Sequence, residues 1–222
     1  MPFTSEITEN GCPCQLEMLS ATALGQVIDR GTTTVIVPFG SVEHHGAHLP
    51  LGADAVLADF VGREVAARVH AVLAPTVRVG CAEQHMQQSG TLTLRAATLT
   101  NVASEIGQSL ASHGFRLIAL ISTHGGNTPP LRLAAERLNR TGNGAFAYAP
   151  EGDVGPHPGG HSGEWLTSVM LVLRPDLVRV QAATEDLADQ VQAATREQGV
   201  IHLERFVSTI VNVIHSQQQA GR

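Results

Sequence analysis

The sequence predicts an α/β fold in which helices cover both faces of a mostly parallel β-sheet. Two observations carry this prediction: apolar or β-branched runs of strand length alternate with longer segments of helical periodicity, and no repeat or low-complexity segment interrupts them. Such alternation is typical of parallel strands joined by helical crossovers. The chain has 222 residues, 43% of them hydrophobic, enough to bury one sizeable core. We therefore expect a single domain over residues 1–222, with about the first 25 residues flexible.

The first half of the alternation begins with TTTVIVPFG, a β-branched run that ends at Pro and Gly and therefore predicts a buried strand. ADAVLADFVGREVAARV then shows helical periodicity, and AVLAPTVRVG predicts a second strand. TLTNVASEIGQSLASHG predicts a helix that Gly114 terminates. These four segments are residues 32–40, 53–69, 71–80 and 98–114.

The second half begins with FRLIALIS, the strongest strand candidate in the chain. A helix follows, with Thr128 as its predicted cap and Pro129 in its first turn. GAFAYAP predicts another strand, and GEWLTSVMLVL and the two segments after it predict helices. These segments are residues 115–122, 127–140, 144–150, 163–173, 183–198 and 200–216. In the last helix one face is apolar, which predicts packing against the sheet or a neighbouring subunit; that face consists of Leu203, Phe206, Val207, Ile210, Val211 and Ile214.

Composition excludes several classes of protein. The net charge is −6, so the basic footprint of a nucleic-acid-binding protein is absent. No apolar run approaches the roughly 20 residues of a membrane span, and the N-terminus lacks the features of a signal peptide, so we expect a cytoplasmic protein. The chain contains no lysine, which excludes a P-loop lysine and a Schiff-base lysine.

Acidic and imidazole side chains follow the first predicted strand. In VPFGSVEHHGAHLPLGAD, Glu43 and His45 are two residues apart, and in extended backbone such positions point to the same side while His44 points away. Asp54 follows a Gly/Pro-rich turn and opens the next helix. This position is the crevice at the carboxyl end of a strand, where open α/β sheets bind ligands.

Two further segments place histidines at equivalent positions. His124 lies just past the strongest strand, and Gly125 and Gly126 after it allow a ligand to approach the backbone closely. The loop EGDVGPHPGGHSGEW then supplies His157, His161 and Glu164.

The distribution of charge favours a metal at these segments. No arginine lies between Arg30 and Arg63 or between Arg140 and Arg174, and burying an unpaired carboxylate costs on the order of several kcal/mol. Unless a distant arginine folds over the cluster or the loops are solvated, a metal must supply the positive charge. Mixed histidine and carboxylate ligands suit Zn, Mn or Fe, and Asp54 in a bridging position would give a two-metal site.

Three other interpretations are open. A serine nucleophile is the first: Ser162 in GGHSG is a candidate, although the chain contains no G-x-S-x-G motif of the kind that usually carries such a serine. Cys81 with His85 nearby would be a cysteine nucleophile. Eleven histidines would also suit a pH sensor.

At these residues the chain resembles the creatininase (creatinine amidohydrolase) family, which includes peptidases of mycofactocin precursors. The similar segments are VIVPFGSVEHHGAHLPLGAD, HMQQSGTLTL, LIALISTHGGN, GGHSGEWLTSVMLVLRPDLV and REQGVIHLERFVSTIVNVI. The resemblance runs from about residue 34 to about residue 214. It implies a three-layer α/β/α fold, two divalent metals per subunit, hydrolysis of an amide-type C–N bond by a metal-activated hydroxide, and a homo-oligomer, often a hexamer.

The resemblance also implies roles for individual residues. Glu43, His45, Asp54 and His124 match metal ligands, and His161 matches a histidine that acts in proton transfer. His85 matches a position on the substrate side, and we expect four further residues to bind substrate: Gly125, Gly126, Asn127 and His157.

The chain departs from the family pattern at two acids. Creatinine hydrolases carry a glutamate ligand at the position of Gly126, and many members have a glutamate at Leu166. We expect Glu164 to complete the second metal site and to share proton transfer with His161. Since the only tryptophan is Trp165, the tryptophans that enclose creatinine are missing.

These features predict a metal-dependent amidohydrolase for a small molecule or a short modified peptide, in a biosynthetic pathway. The substrate bond would be an amide, a lactam or a formamide. The alternative is a degenerate member that binds a metal or ligand, or acts as a scaffold, without hydrolysis.

Overall fold

A four-stranded parallel sheet of order β2-β1-β3-β4 lies at the centre of the molecule. The computed structural model describes residues 14–141, 144–148 and 161–220. Its strands are β1 (Thr34–Phe39), β2 (Val72–Leu73), β3 (Leu117–Ser122) and β4 (Gly144–Tyr148). Its α-helices are α1 (Ala21–Asp29), α2 (Ala53–Arg68), α3 (Ala96–Ser112), α4 (Thr128–Arg140), α5 (Glu164–Leu173), α6 (Ala188–Ala193) and α7 (Arg196–Ala220).

Helices cover both faces of this sheet, which confirms the predicted α/β class. Every residue of β1 is buried, because alternate side chains enter two different cores. Ile36 points into a core shared with α2, α5 and α7. Val35 and Val37 point into the core on the other face, which α3 and α4 complete.

The apolar face of α7 packs as predicted. Five of its six predicted residues are buried and Val211 is partly buried, and all six belong to the core that α7 shares with α2 and α5. The prediction of core packing is therefore confirmed.

Among the described residues, no helix combines the length and the hydrophobicity that crossing a membrane requires.

Helix ends were predicted with mixed success. Gly114 follows the end of α3 with a φ of +101°, as expected of a glycine that terminates a helix. The prediction that Thr128 caps α4 is wrong: Thr128 is the first residue of the helix and Asn127 precedes it as N-cap. The Thr128 hydroxyl makes no hydrogen bond.

The second strand is much shorter than predicted. Only Val72 and Leu73 pair with β1, whereas residues 71–80 were expected to form a strand. Pro75 follows two residues later and cannot donate to a ladder; the next bridge to β1 in the described part of this segment is that of Val77 to Phe39.

Candidate metal centre

The loops that follow β1 and β3 meet at one edge of the sheet. The register pairs Phe39 with Ser122, so both strands end at the same level. The amide of Thr123 donates to the carbonyl of Phe39 over 3.1 Å, which holds the two loops together. Side chains that follow each strand are thereby brought to one point.

Glu43 and His45 face this point, as their spacing predicts. Both side chains are buried. His45 Nδ1 lies 3.0 Å from the carbonyl oxygen of Glu43; as donor there, it leaves the Nε2 lone pair directed into the site. Ser41 Oγ donates to Glu43 Oε2 over 2.8 Å.

Asp54 reaches the same point from the first turn of α2. A helix N-terminus favours a carboxylate there. The backbone of α2 comes very close, since a Cβ at Gly40 would collide with the backbone of Ala55. Asp54 Oδ1 lies 3.5 Å from His45 Nε2.

His124 closes the cluster from the β3 side. Its Nε2 lies 2.9 Å from the carbonyl oxygen of Cys81, and a donated bond there leaves Nδ1 facing the acids. That Nδ1 is 3.2 Å from Glu43 Oε2 and 3.3 Å from Asp54 Oδ2. Each histidine therefore keeps one nitrogen for a ligand and holds its ring in place with the other.

Two more histidines approach the other oxygen of Glu43. His161 Nδ1 lies 3.6 Å and His85 Nε2 lies 3.8 Å from Glu43 Oε1. His161 Nε2 is 2.7 Å from the carbonyl oxygen of His44. The His161 ring stacks between those of His45 and His85, with centroid distances of 4.7 Å and 4.4 Å.

Imidazole groups stabilise the charges of the two carboxylates in the cluster. Burial would raise the pKa of Asp54, but the charge of His45 and the hydrogen bonds of His124 and His45 outweigh it and lower that pKa to about 2. Burial would lower the pKa of His124, but hydrogen bonds to Asp54 and Glu43 raise it to about 10. Without metal, the imidazoles of His45 and His124 therefore compensate the two carboxylates.

These residues fit a divalent metal. Glu43 Oε1 is buried and has no hydrogen-bond partner, a costly state for a carboxylate unless a cation occupies the gap. The ligand atoms of Glu43, His45 and Asp54 lie within 4.8 Å of one another, and so do those of Glu43, His85 and His161. Their mixed nitrogen and oxygen donors suit Zn, Mn or Fe.

Glu164 is the predicted ligand that the structure does not bring to the cluster. Its carboxylate accepts a hydrogen bond from Ser168 Oγ over 2.6 Å and lies 3.3 Å from His202 Nε2. It thus links α5 to α7, and the acid groups in the clusters of possible ligands among the described residues are those of Glu43 and Asp54.

The predicted substrate-binding residues differ in position. His85 is at the cluster, whereas His157 lies outside the described residues. Asn127 is fully buried; its Oδ1 accepts from the amide of Cys81 and its Nδ2 donates to the carbonyl of Gly40. Asn127 therefore joins the ends of three loops. Gly125 and Gly126 are partly buried beside His124.

Sequence reasoning missed the groups that orient the ligands. The Cys81 carbonyl is one of them, and a backbone oxygen gives no signal in a side-chain pattern. His48 is another: its buried Nε2 lies 2.9 Å from the carbonyl oxygen of Ser162, next to His161. The Cys81 thiol itself is buried and burial raises its pKa, which disfavours a cysteine nucleophile.

Comparisons with known proteins agree on one family. The family model described as creatinine amidohydrolase matches residues 17–213. A mycofactocin precursor peptide peptidase of Mycobacterium ulcerans is 35% identical over 154 residues, which cover 65% of this chain and 60% of that protein. The creatinine amidohydrolase of Pseudomonas putida is 30% identical over 175 residues, covering 67% of each. The chain thus spans about 60% of the peptidases it matches.

Solved structures show the same fold. One described as "Creatininase Mn" has a TM-score of 0.80 at 24% identity, covering 92% of this chain and 98% of its own. A mutant creatininase of "Zn-Zn type" has a TM-score of 0.78 at 24% identity and covers 91% and 97%.

Proposed function

Because the chain belongs to the creatininase family of metal-dependent amidohydrolases, we propose that it hydrolyses an amide-type C–N bond with the help of bound divalent metal. The observation that carries the proposal is Glu43, a buried carboxylate with an unpartnered oxygen and histidine nitrogens on both sides. Manganese and zinc in the names of related structures support a divalent ion.

A bound divalent ion would supply a Lewis acid that polarises a carbonyl and lowers the pKa of water. Glu43, His45, Asp54 and His124 would hold it. Because hydrogen bonds to the carbonyls of Glu43 and Cys81 fix the two histidine rings, these ligands need little reorganisation.

His161 is suited to proton transfer beside this cluster. Burial lowers its pKa, so the ring is neutral at pH 7, and its hydrogen bond to the carbonyl of His44 leaves Nδ1 as the free base. Its side chain is 40% exposed, which lets it contact a substrate. We propose that His161 Nδ1 accepts a proton from the attacking water and passes it to the leaving nitrogen.

A short peptide is the substrate that we propose. The peptidase relatives are 34–35% identical to this chain, against 30% for the creatinine hydrolase. Trp165 packs against His202 and Phe206, with ring centroids 6.0 Å and 5.7 Å apart, and is therefore not placed to enclose creatinine at the cluster. The name of the peptidases supports a role in maturing a precursor peptide within a biosynthetic pathway.

The test uses the full chain loaded with Mn or Zn and incubated separately with short peptides, lactams, formamides and creatinine. Released amine is measured with an amine-reactive dye. We expect amine release from peptides, which stops in Glu43→Gln and continues in His44→Ala, since the His44 side chain lies outside the candidate ligand groups. Metal binding without hydrolysis of any compound would favour the degenerate, ligand-binding alternative.

A further inference from the structure

A groove lies at the amino ends of the strands, at the edge of the sheet opposite the candidate metal centre. Its volume is about 850 Å³, within the roughly 300–1,000 Å³ of small-molecule sites. The starts of β1, β3 and β4 line it, together with the ends of α2 and α7. Because β1 and β3 each extend over six residues, about 20 Å of strand separates this groove from the metal centre.

The ionisable side chains that line the groove are all basic. Arg30 and Arg116 supply two guanidinium groups, His70 and His215 supply two imidazoles, and no acid is found among the described residues that line it. The chain as a whole has 20 acidic residues against 14 arginines. The groove is therefore a local reversal of charge, which attracts anions.

The guanidinium groups of Arg30 and Arg116 are available to a ligand. Both residues are exposed. The arginines that form ion pairs in the described part of the chain are Arg68, Arg78 and Arg174. Arg30 follows α1, but the last carbonyls of that helix, in residues 26–28, accept from the backbone amides of residues 30–32. The Arg30 guanidinium is thus not needed to cap the helix.

Backbone contacts fix the shape of the groove. The amide of Arg116 donates to the carbonyl of Thr33 over 2.8 Å, and β4 passes so close that a Cβ at Gly144 would collide with the Arg116 carbonyl. On the other side, Gln218 Nε2 donates to Thr34 Oγ1 over 3.1 Å, which ties the end of α7 to β1. The groove is therefore formed before a ligand binds, as is usual for small-molecule sites.

We propose that this groove binds a small molecule that carries a phosphate or carboxylate group. The forked donors of Arg30 and Arg116 suit either anion. Thr32 and Thr33 also line the groove, and their hydroxyls are further donors. Because the groove is remote from the metal centre, the proposal does not rest on the proposed hydrolysis and holds whether or not the chain is an enzyme.

The test measures binding of four probes to the full chain as purified, by isothermal titration calorimetry at low and at high NaCl concentration. The probes are inorganic phosphate, AMP, succinate and, without a charge, adenosine. We expect saturable binding of the phosphate probes, of succinate or of both, weakened by NaCl, and no binding of adenosine. Which anions bind identifies the group that the groove recognises. Binding of none of them, or of adenosine as tightly as AMP, would show the proposal to be wrong.

Substitutions then locate the bound anion. Arg30→Gln and Arg116→Gln should each weaken binding about fivefold or more. Arg205→Gln removes an exposed charge from α7 outside the groove and should change the affinity less than about twofold. Circular dichroism checks that every variant is folded.

Two results would overturn the proposal. An equal loss of affinity in Arg205→Gln would mean that the anion is attracted by overall charge. A loss of anion binding in Asp54→Asn, with no loss in Arg116→Gln, would place the anion at the metal centre. Anion binding without any hydrolysis would contradict the proposed function but support the groove as a site.

Discussion

His124 shows how one side chain can serve two states of the site. Its Nδ1 lies between two buried carboxylates, where either a proton or a metal ion can compensate their charge. The pKa of about 10 belongs to the state without metal. Because a metal ligand must be a neutral ring, binding of an ion at His124 would require this proton to leave.

Metal affinity is therefore expected to rise with pH. Below pH 10 each ion that binds His124 displaces a proton, so the apparent affinity should rise about tenfold per pH unit for each proton displaced. Asp54, with a pKa of about 2, stays ionised throughout. Calorimetric titration with Mn²⁺ between pH 6.5 and pH 8.5, in two buffers that differ in ionisation enthalpy, would measure both the slope and the proton release.

Stability of the metal-free protein should change in the opposite direction. The pKa of His124 is raised above its ordinary value of 6.5 to about 10, so its contribution to the free energy of unfolding is complete below pH 6.5 and is lost as pH rises through 10. Urea unfolding at pH 6.5 and pH 9 would measure this loss. His124→Gln measured at the same two pH values isolates the contribution of His124 from that of other groups. A stability difference between wild type and His124→Gln that is the same at both pH values would contradict the prediction.

Asn127 is predicted to stabilise the loops rather than to contact substrate. Asn127→Ala would leave the buried amide of Cys81 and the carbonyl of Gly40 unpaired, at a cost of about 2–4 kcal/mol. Asn101→Ala removes an exposed amide that accepts from Arg137 and should cost less than about 0.5 kcal/mol. Urea denaturation of both variants would measure the difference.

The positions of side chains in the cluster could be predicted from the sequence, whereas the backbone groups that hold them could not. The two-residue spacing of Glu43 and His45 was enough to place both in the cluster. The four-residue spacing places Ser168 beside Glu164 on the predicted helix, but nothing in the sequence pattern indicates that His202, 38 residues away, contacts the same carboxylate. Whether His202 reaches the Glu164 carboxylate depends on how α5 packs against α7.

At the scale of elements, the contact between α5 and α7 is close enough to require a glycine. A Cβ at Gly199 would collide with the carbonyl oxygen of Ser168, and the hydroxyl of Ser168 accepts from the amide of Thr195. Ser168 lies in α5, the helix that directly follows the His161 segment in the chain, so this contact fixes the helix next to one histidine of the candidate metal centre.

Gly199→Ala should lower the free energy of unfolding by about 1–3 kcal/mol, because the added methyl forces the two helices apart. Gly25→Ala is the matched control: Gly25 lies inside α1 with nothing within 4 Å of an added Cβ, so alanine should stabilise by up to about 1 kcal/mol. Thermal unfolding of both variants would measure the two signs. Equal effects would mean that α5 and α7 are not in the close contact described.

Element types followed from the sequence more readily than their ends. The continuous apolar runs of β1 and β3 could form only buried strands, and the apolar face of α7 required a core. The end of β2 depended on whether the chain at Pro75 would stay paired with β1. The start of α4 depended on whether the Asn127 side chain would hydrogen-bond to the loops at Cys81 and Gly40. Both outcomes are decided by tertiary contacts that no local pattern contains.

At the scale of the whole molecule, metal and fold stabilise each other. An ion that binds only the native chain adds about 2.7 kcal/mol at a concentration of 100 Kd. We expect the melting temperature at pH 7.5 to rise with added Mn²⁺ or Zn²⁺ and to fall again with a chelator. Differential scanning fluorimetry of wild type and of Asp54→Asn would measure the shift. An equal rise in Asp54→Asn would place the stabilising ion elsewhere.

Several predictions about the whole chain stay predictions. They are a single domain over residues 1–222, a homo-oligomer, for which the family resemblance favours a hexamer, and a location in the cytoplasm. The sequence pattern of a single chain does not indicate the number of subunits. Sedimentation velocity over a range of concentrations would measure that number.

Gly126 has a consequence for the routes by which this site can change. A glutamate there needs the Cys81 loop to move first, because even one added carbon meets its carbonyl, and that same carbonyl orients His124. A single substitution that introduced an acid at residue 126 would therefore also disturb the orientation of His124. A side chain at residue 126 therefore requires a compensating change in the Cys81 loop, so no single substitution at this position leaves the cluster as it is.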